Sequence, residues 1–337
     1  MRIGIVGGSG YAGAELLRLC AGHPDFEVAW TTGDTQADLA VDSLYPNLAG
    51  GYEGVVYARF EPGMVVGLDL VFSALPHGRS QELVPQIWQS GVPVVDLAAD
   101  FRLRDPADHE RWYGEPHRAA ELLDHFVYGL PERQRADIAT CRAVAAPGCY
   151  PTAATLALAP LVDAGAIVPE GVVVDAASGV SGAGRAPKAS TSFSTANEDY
   201  VAYGLLDHRH TPEMEQAIGA RLLFTPHLAP MTRGILATCY ARPAGPTSTA
   251  ELLEILAEAY AGEPFVVVAE RSPSTKATWG SNAAHLTARF DERTGWVVVL
   301  AALDNLGKGA AGQAVQCANL VLGLEETTGL SAVGVYP

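Results

Sequence analysis

The sequence predicts an α/β protein of two domains, in which a doubly wound parallel sheet is followed by an α+β domain with a mixed or antiparallel sheet. Strand-like and helix-like segments alternate through the first half of the chain, as in a parallel sheet covered by helices. In the second half, strand-like segments follow one another with few helices between them. At 337 residues and 48% hydrophobic content, the chain is also too long for one ordinary core.

The first strand-like segment, residues 2–6, runs into a glycine-rich loop. Gly8, Gly10 and Gly13 match the pattern G-x-G-x-x-G, and a helix-like segment and a second strand-like segment follow. Such a loop allows a tight turn and aims helix N–H groups at a pyrophosphate. The sequence therefore predicts a Rossmann-type domain, with a dinucleotide bound by Gly7, Gly8, Ser9, Gly10, Tyr11, Ala12 and Gly13.

The end of the second strand bears on which nicotinamide cofactor is used. It reads Trp30-Thr31-Thr32-Gly33, with Asp34 next. An acidic residue at this place binds the ribose of NAD and repels the additional phosphate of NADP. Hydroxyl groups and a glycine suit a phosphate, so the sequence favours NADP with Thr32 as a ligand. Asp34 and the lack of an arginine argue in the other direction.

Two further strand ends should line the same crevice, because ligands bind outside the carboxyl ends of the strands in doubly wound sheets. Segment 69–74 precedes the residues expected at the cofactor, Leu75, Pro76 and His77, and segment 92–97 precedes Arg102. For His77, capping of the loop is favoured over catalysis. The acidic stretch with Asp100, Asp105 and Asp108 is predicted to be a solvated loop, and residues 113–142 to be connecting segments.

Cys149 follows the next apolar segment and precedes a helix-like segment, residues 152–162. Pro151 is expected as the first helical residue, since its missing N–H would have no partner there. Unpaired N–H groups and the helix dipole then favour a thiolate, so Cys149 is a candidate nucleophile. The alternative is a cysteine that packs as a small hydrophobic residue.

Composition limits the remaining possibilities. The five cysteines are scattered without metal-ligand spacing, which argues against disulfides and a zinc site. A formal net charge of −16 argues against nucleic acid as a partner, and an anionic substrate must be met by local cations. Neither a secretory segment nor a membrane-spanning run is evident, so we expect a cytoplasmic protein without a membrane partner.

Local cations and histidines occur in two segments after Cys149. The small-residue loop 178–188 can wrap an anion, with Arg185 and Lys188 at its end. His208-Arg209-His210 precedes a helix-like segment, which places a general acid/base and a carboxylate ligand together. His227 is a rival base, although its apolar neighbours also suit a core histidine. The Gly- and Ala-rich segment beginning near Asn305 predicts a last helix that packs back on the first domain.

Taken together, nine motifs resemble those of the N-acetyl-gamma-glutamyl-phosphate reductase family of arginine biosynthesis. They span nearly the whole chain in the family's order: GGSGYAG, LPHG, DLAADFR, YGLPE, APGCYPT, SGVSGAGRAPK, HRHTPE, FTPHLAPMTRG and DNLGKGAAGQAVQ. The resemblance implies a semialdehyde dehydrogenase-like fold: an NADP-binding domain, residues 1–149 with the helix 305–323, and a catalytic and oligomerisation domain, residues 150–304. Thr31 and Thr32 stand where some relatives offer an arginine or serine to NADP.

The resemblance also implies NADPH-dependent reduction of an acyl phosphate to an aldehyde, by a homodimer or homotetramer. Cys149 would be the nucleophile, and His210, then His208, then His227 the order of preference for the acid/base. The substrate anions would be met by Arg102, Arg185, Lys188 and Arg209. Further cofactor contacts would come from Ser178, Gly179, Gly182 and Asn305. No metal is expected.

Three alternatives remain open at this point. A reductase acting on a carrier-protein-linked aminoadipyl or glutamyl phosphate should show a basic docking surface, which the net charge disfavours. An aspartate-semialdehyde dehydrogenase would share the fold and the cysteine, but with other forms of the GCYPT and HRHTPE motifs. A non-enzymatic NADP-sensing regulator would have no need for the cysteine together with the histidines.

Overall fold

The computed structural model describes residues 1–337, which divide into two compact units. The first contains residues 1–147 and 310–330, and the second contains residues 148–309 and 331–337. The division falls just before Cys149, which was expected to close the first domain, and the second unit keeps residues 305–309. No helix combines the length and apolar character needed to cross a bilayer.

The first unit is built on a six-stranded sheet with the order β2-β1-β3-β4-β6-β5, in which every pair of neighbours is parallel. Its strands are β1 (Arg2–Val6), β2 (Glu27–Thr31), β3 (Leu70–Ser73), β4 (Val94–Asp96), β5 (Phe126–Tyr128) and β6 (Ala143–Ala145). Its helices up to this point are α1 (Tyr11–Ala21), α2 (Val41–Leu44), α3 (Ala49–Tyr52), α4 (Ser80–Ser90), α5 (Pro106–Tyr113) and α6 (Pro131–Ile138). The doubly wound sheet predicted from the sequence is thereby confirmed.

The second unit is built on a seven-stranded mixed sheet with the order β11-β12-β13-β10-β7-β9-β8. Its elements are α7 (Cys149–Asp163), β7 (Val172–Gly179), α8 (Phe193–Ala196), β8 (Val201–Ala202), α9 (His210–Ile218), β9 (Leu222–Ala229), β10 (Ile235–Ala241), α10 (Thr249–Ala259), β11 (Val266–Val268), β12 (Ala284–Asp291) and β13 (Trp296–Leu303). A π turn, Gly307–Ala311, leads into α11 (Gly312–Val321), which returns to the first unit. The predicted mixed sheet is confirmed as well.

One face of the second sheet is covered by α7, α9 and α10. Helix α7 lies at the centre of this layer, and its residues 150–161 are all buried. This full burial agrees with the sequence of the helix, since a helix packed on all sides is apolar all round. On the opposite face of the sheet, alternate residues of the strands stay half-buried or exposed.

Two expectations for the first unit were wrong. Residues 113–142 hold more than connections, since β5 forms an edge of the sheet and α6 follows it. The acidic stretch is only partly solvated: Asp100 is fully buried, and Asp105 caps α5 by accepting a hydrogen bond from the Ala107 N–H. The short, half-buried β5 has no alternation that would reveal it, and the burial of Asp100 depends on partners distant in sequence.

Candidate active site

Cys149 is the first residue of α7, and Gly148 is its N-cap in an extended conformation. The helix starts two residues earlier than expected, and Pro151 occupies its third position, where an N–H would still lack a partner within the helix. The first turn is closed by Thr152, whose N–H and hydroxyl both donate to the Gly148 carbonyl at 2.9 Å. The half-buried Cys149 thiol thus stands at the positive end of a 15-residue helix.

Glu213 connects this turn to the neighbouring helix α9. Its carboxylate is buried, with 1% of the residue exposed, and Oε1 accepts a hydrogen bond from the Gly148 N–H at 2.8 Å. Glu213 lies in the first turn of α9, three residues after His210. Glu213 is not among the site residues predicted from the sequence. An acidic residue in the first turn of a helix, next to candidate histidines, was the signal available.

His208 is held as a neutral ring by its surroundings. Its Nδ1 accepts a hydrogen bond from the His210 N–H at 3.1 Å, so a proton can reside only on Nε2. The rings of Tyr150, Tyr203 and Phe224 lie with their centroids 5.2–5.7 Å from that of His208. Burial lowers the pKa of His208 to about 4, and Asp207 opposes this only weakly. His208 is therefore uncharged near neutral pH.

His210 is the first residue of α9 and is half-buried. Its ring centroid lies 4.9 Å from that of His208 and 5.9 Å from that of Tyr150, the residue after Cys149. Helices α7 and α9 also pack together. The structure therefore brings Cys149, His208 and His210 into one cluster at the N-termini of two helices.

His227 lies apart from that cluster. In strand β9 it alternates with Phe224 and Pro226, so its side chain is on the opposite face of the sheet from the Phe224 ring that contacts His208. There the His227 ring stacks on Tyr200, with 5.0 Å between centroids. Only its backbone reaches the cluster, since its carbonyl accepts a hydrogen bond from the Tyr150 hydroxyl at 3.1 Å.

The residues of the second unit that are predicted to contact the cofactor lie close together at the end of β7. A Cβ added to Gly182 would lie 2.8 Å from Ser178 Oγ and 3.7 Å from Asn305 Nδ2, so these three residues are close neighbours. Gly179 is packed against the backbone of Arg233. Asn305 is fixed because its Oδ1 accepts the Gly234 N–H at 2.7 Å and its Nδ2 donates to Ser181 Oγ at 2.9 Å.

Gly309, in the π turn before α11, packs directly on the candidate nucleophile. A Cβ at this position would lie 2.8 Å from the Cβ of Cys149 and 3.2 Å from the Asp304 carbonyl oxygen. Real Cβ atoms do not approach one another so closely, so only glycine fits here without displacement of Cys149. From the sequence, this segment is predicted only to start a small-residue helix, and the contact with Cys149 is not predicted.

The glycine-rich loop of the first unit is packed closely against the chain itself. A Cβ on Gly13 would lie 2.3 Å from the Gly7 carbonyl oxygen, and a Cβ on Gly8 would lie 1.9 Å from Thr31 Oγ1. Gly7 has a φ of +79° and donates its N–H to Thr32 Oγ1 at 3.2 Å. The Thr31 hydroxyl is buried without a hydrogen-bond partner. This backbone suits the close approach of a dinucleotide pyrophosphate at the start of α1.

The remaining predicted residues are distributed between the two units. In the first, Ser9, Gly10, Tyr11 and Ala12 are half-buried around the glycine loop, Leu75 is half-buried and Pro76 and His77 are exposed. Arg102 is buried, with one guanidinium N–H donated to the Leu97 carbonyl. In the second, Arg185 is half-buried, and Lys188 and Arg209 are exposed. No group of three or more His, Cys, Asp or Glu residues could hold a metal ion.

Known protein families match both units. The NAD-binding domain of the semialdehyde dehydrogenases matches residues 2–141, and their dimerisation domain matches residues 149–305. Aspartate semialdehyde dehydrogenase II from Vibrio cholerae, complexed with ASA, has the same fold, with a TM-score of 0.72, 17% identity, and coverage of 95% of this chain and 98% of that chain. The enzyme from Candida albicans with NADP gives a TM-score of 0.69 at 14% identity, over 95% and 98% of the two chains. Fold and matched domains together define a protein of the semialdehyde dehydrogenase class.

Two full-length relatives identify the family within this class. N-acetyl-gamma-glutamyl-phosphate reductase of Desulforudis audaxviator is 48% identical, with 100% of both chains covered. The reductase of the same name from Symbiobacterium thermophilum is 46% identical, over 100% of this chain and 99% of its own. The chain belongs to the N-acetyl-gamma-glutamyl-phosphate reductase family, as its motifs indicated.

Proposed function

We propose that this chain catalyses the NADPH-dependent reduction of N-acetyl-glutamyl 5-phosphate to N-acetyl-glutamate 5-semialdehyde and phosphate, the third step of arginine biosynthesis, in the cytoplasm. The observation that carries the proposal is the cluster at the start of α7, where Cys149 begins the helix, the His210 ring lies 5.9 Å from that of the adjacent Tyr150, and Glu213 accepts the Gly148 N–H. Full-length relatives named for this reduction support it. A cysteine nucleophile is what an acyl phosphate requires for conversion to a reducible thioester.

Cys149 performs the first step. Its thiolate sulfur attacks the acyl carbon, a C–S bond forms, and phosphate leaves with the electron pair of the broken C–O bond. The N–H groups at the start of α7 are positioned to stabilise the negative oxygen of the tetrahedral intermediate. When held in the first unit, the nicotinamide cofactor would supply the hydride that reduces the thioester. The C–S bond of the hemithioacetal then breaks, the aldehyde is released, Cys149 leaves as its thiolate, and the hydroxyl proton passes to His210.

His210 is the acid/base. It accepts the proton of the Cys149 thiol before attack and returns a proton to the oxygen during reduction. His208 is unsuited to this exchange, since its Nδ1 is engaged by the His210 N–H and burial keeps the ring neutral. His208 offers only its Nε2–H as a fixed donor. The ring of His227 lies on the far face of the sheet and takes no part.

The cofactor is NADP, held by the glycine loop of the first unit, where Gly8 and Gly13 pack too closely on the chain for a side chain and a Cβ on Gly10 would have no neighbour nearer than 3.6 Å, as suits a backbone that meets a pyrophosphate. Thr32 is the ligand for the phosphate that distinguishes NADP. Leu75, Pro76, His77, Ser178, Gly179, Gly182 and Asn305 complete the contacts. Arg102, Arg185, Lys188 and Arg209 supply positive charge for the carboxylate and phosphate of the substrate, as the acidic chain requires.

The chain works as a homo-oligomer formed through the open face of the second sheet, the one without a helix layer. Five aliphatic side chains on this face are half-buried or exposed: Val173, Leu223, Leu236, Val298 and Leu300. A large apolar face of this kind marks an interface, and the match to a dimerisation domain covers the same residues.

In light scattering, the native chain should have the mass of two or more copies, and Leu223→Arg should reduce this mass. Val66→Arg, at an exposed site of the first unit, is the control.

The reverse reaction tests the proposed activity. Purified protein is given N-acetyl-glutamate semialdehyde, phosphate and NADP, and reduced cofactor is followed by absorbance. Phosphate-dependent reduction of NADP is expected, with much slower reaction when NAD or aspartate semialdehyde is substituted. Cys149→Ser should bind NADPH and lose turnover. Full activity of that variant, or turnover only with aspartate semialdehyde, would overturn the proposal.

A further inference from the structure

A buried polar network lies beside the glycine loop of the first unit, and the reaction steps do not use it. Its centre is Asp100, whose residue is fully buried. The Gly78 N–H donates to both carboxylate oxygens of Asp100, at 2.8 and 3.0 Å, and the Gln81 side-chain amide donates to Oδ1 at 3.2 Å. A buried carboxylate is tolerated only when such donors replace water.

Two histidines also lie against Asp100, one near its carboxylate and one at its backbone carbonyl. His109 Nε2 lies 3.9 Å from Asp100 Oδ1, and its Nδ1 donates to the Glu115 carbonyl at 3.2 Å. His117 donates from Nε2 to the Asp100 carbonyl at 2.8 Å and accepts the Ala119 N–H at Nδ1. Burial would raise the pKa of Asp100, but the nearby His109 ring and the hydrogen bonds from Gly78 and Gln81 outweigh it and lower the pKa. The carboxylate is therefore ionised at neutral pH.

The segment that Asp100 holds forms one wall of the ligand crevice. Strand β1 lies between β2 and β3, so the chain changes direction across the sheet between β1 and β3. In doubly wound sheets the ligand binds at this switch point, outside the carboxyl ends of the strands. The turn Leu75–Gly78 follows β3 there, and Gly7 of the glycine loop is packed on the Ala74 carbonyl just before it.

Besides the bond to Asp100, the turn has a hydrogen bond from the Arg79 N–H to the Pro76 carbonyl at 3.2 Å, and the His77 ring centroid lies 6.0 Å from that of Tyr113. Pro76 and His77 are exposed, and Gly78 has a φ of +80°, a conformation that few residues other than glycine adopt. The Gly78 N–H is directed at the Asp100 carboxylate. We propose that Asp100 is a positioning residue that holds the Leu75–Gly78 turn in the conformation that binds the nicotinamide cofactor. This inference rests on the proposed use of NADPH.

The experiment compares Asp100→Asn with Asp105→Asn, which makes the same change at an exposed helix cap five residues away, where asparagine caps as well as aspartate. Because the Gly78 N–H reaches both carboxylate oxygens, an amide at position 100 turns its –NH2 group toward that donor in either orientation. We expect the Kd for NADPH, measured by fluorescence titration, and the KM for NADP in the reverse reaction to rise about tenfold. The KM for the semialdehyde should change less than twofold. A general loss of structure would instead raise the KM values for NADP and for the semialdehyde together. Asp105→Asn should match the native protein.

A second variant tests the same inference in case Asp100→Asn does not fold. Gln81→Met keeps the length of the side chain and removes the amide donor to Asp100, so we expect a rise of about threefold in the Kd for NADPH. The inference would be overturned if Asp100→Asn folds and keeps the native Kd for NADPH and KM for NADP. If Asp100→Asn does not fold, the same result for a folded Gln81→Met would overturn it. A rise in the semialdehyde KM equal to that for NADP would also overturn it. If the native protein itself fails to bind NADPH, the proposed cofactor is wrong instead.

Discussion

The carboxylate of Glu213 accepts a hydrogen bond from the N–H of Gly148, which is the residue before the candidate nucleophile Cys149. The two residues are 65 positions apart in sequence, and the bond is buried. It ties the first turn of the histidine-bearing helix α9 to the N-cap of α7. Because Gly148 is extended and caps α7, its position sets where the Cys149 thiol leaves the helix. The bond therefore couples the position of Cys149 to the helix that begins at His210, in addition to the packing of α7 on α9.

Glu213→Ala should cost both stability and activity. The Gly148 N–H would be left buried without its acceptor, at about 1–3 kcal/mol of unfolding free energy, and kcat should fall about 10–100-fold as the nucleophile shifts. Glu213→Gln retains an amide oxygen that can accept the same bond. Its unfolding free energy, measured in urea, should stay close to the native value. Equal losses in the two variants would show that the bond to Gly148 does not matter.

Gly309→Ala should lower kcat with little effect on cofactor binding. The new Cβ would lie 2.8 Å from Cys149 Cβ, so Cys149 must move. We expect kcat to fall at least tenfold, because misplacement by a fraction of an ångström to 1 Å disrupts alignment for attack. Gly245→Ala, in the same unit but with open space around the glycine, is the matched control and should stay within twofold of native activity. A fully active Gly309→Ala would contradict the packing described.

The parts of this molecule that the sequence predicts are those encoded locally. The glycine loop, the start of α7 near Cys149 and the alternation of strands and helices each lie within a short stretch of chain, where spacing and residue type suffice. The helix start was misplaced by two residues because Pro151 is compatible with any position of the first turn.

The rest depends on contacts between distant segments. Glu213 reaches Gly148, and Asp100 reaches Gly78 and Gln81, through folding of the whole unit. An acidic stretch looks solvated in sequence because nothing local marks which carboxylate will find buried donors. The low pKa of His208 likewise arises from burial among aromatic rings that come from three other elements or loops.

His210→Asn and His208→Asn should affect the reaction differently. Loss of the acid/base at position 210 should lower kcat by about 10²–10⁴-fold and remove the pH dependence of kcat/KM that a histidine gives near neutrality. Asparagine at 208 can still accept the His210 N–H through its side-chain oxygen, so the start of α9 should keep its conformation. The pH–rate profile of His208→Asn should then retain the native shape with a reduced maximum. A profile lost in His208→Asn and kept in His210→Asn would reverse the assignment.

Acid should destabilise the protein partly through His208. Its pKa is near 6.5 when unfolded and about 4 when folded, so the unfolded state binds the proton first as pH falls, and stability declines between pH 6.5 and 4. At pH 5 this loss amounts to about 2 kcal/mol relative to pH 7.5. Asp96 acts in the opposite direction: burial, and next the Asp100 charge, raise its pKa to about 6, so it opposes the loss between pH 6 and 4.

The contribution of His208 is isolated by comparing the native protein with His208→Asn in urea unfolding at pH 7.5 and pH 5. Asp96 and the other histidines with lowered pKa values, His23, His117 and His285, are present in both proteins, so their effects cancel in the difference. The loss of unfolding free energy between the two pH values should be smaller in His208→Asn by about 2 kcal/mol. The same loss in both proteins would mean that His208 is not held neutral in the folded state, and its exclusion as the acid/base would no longer hold.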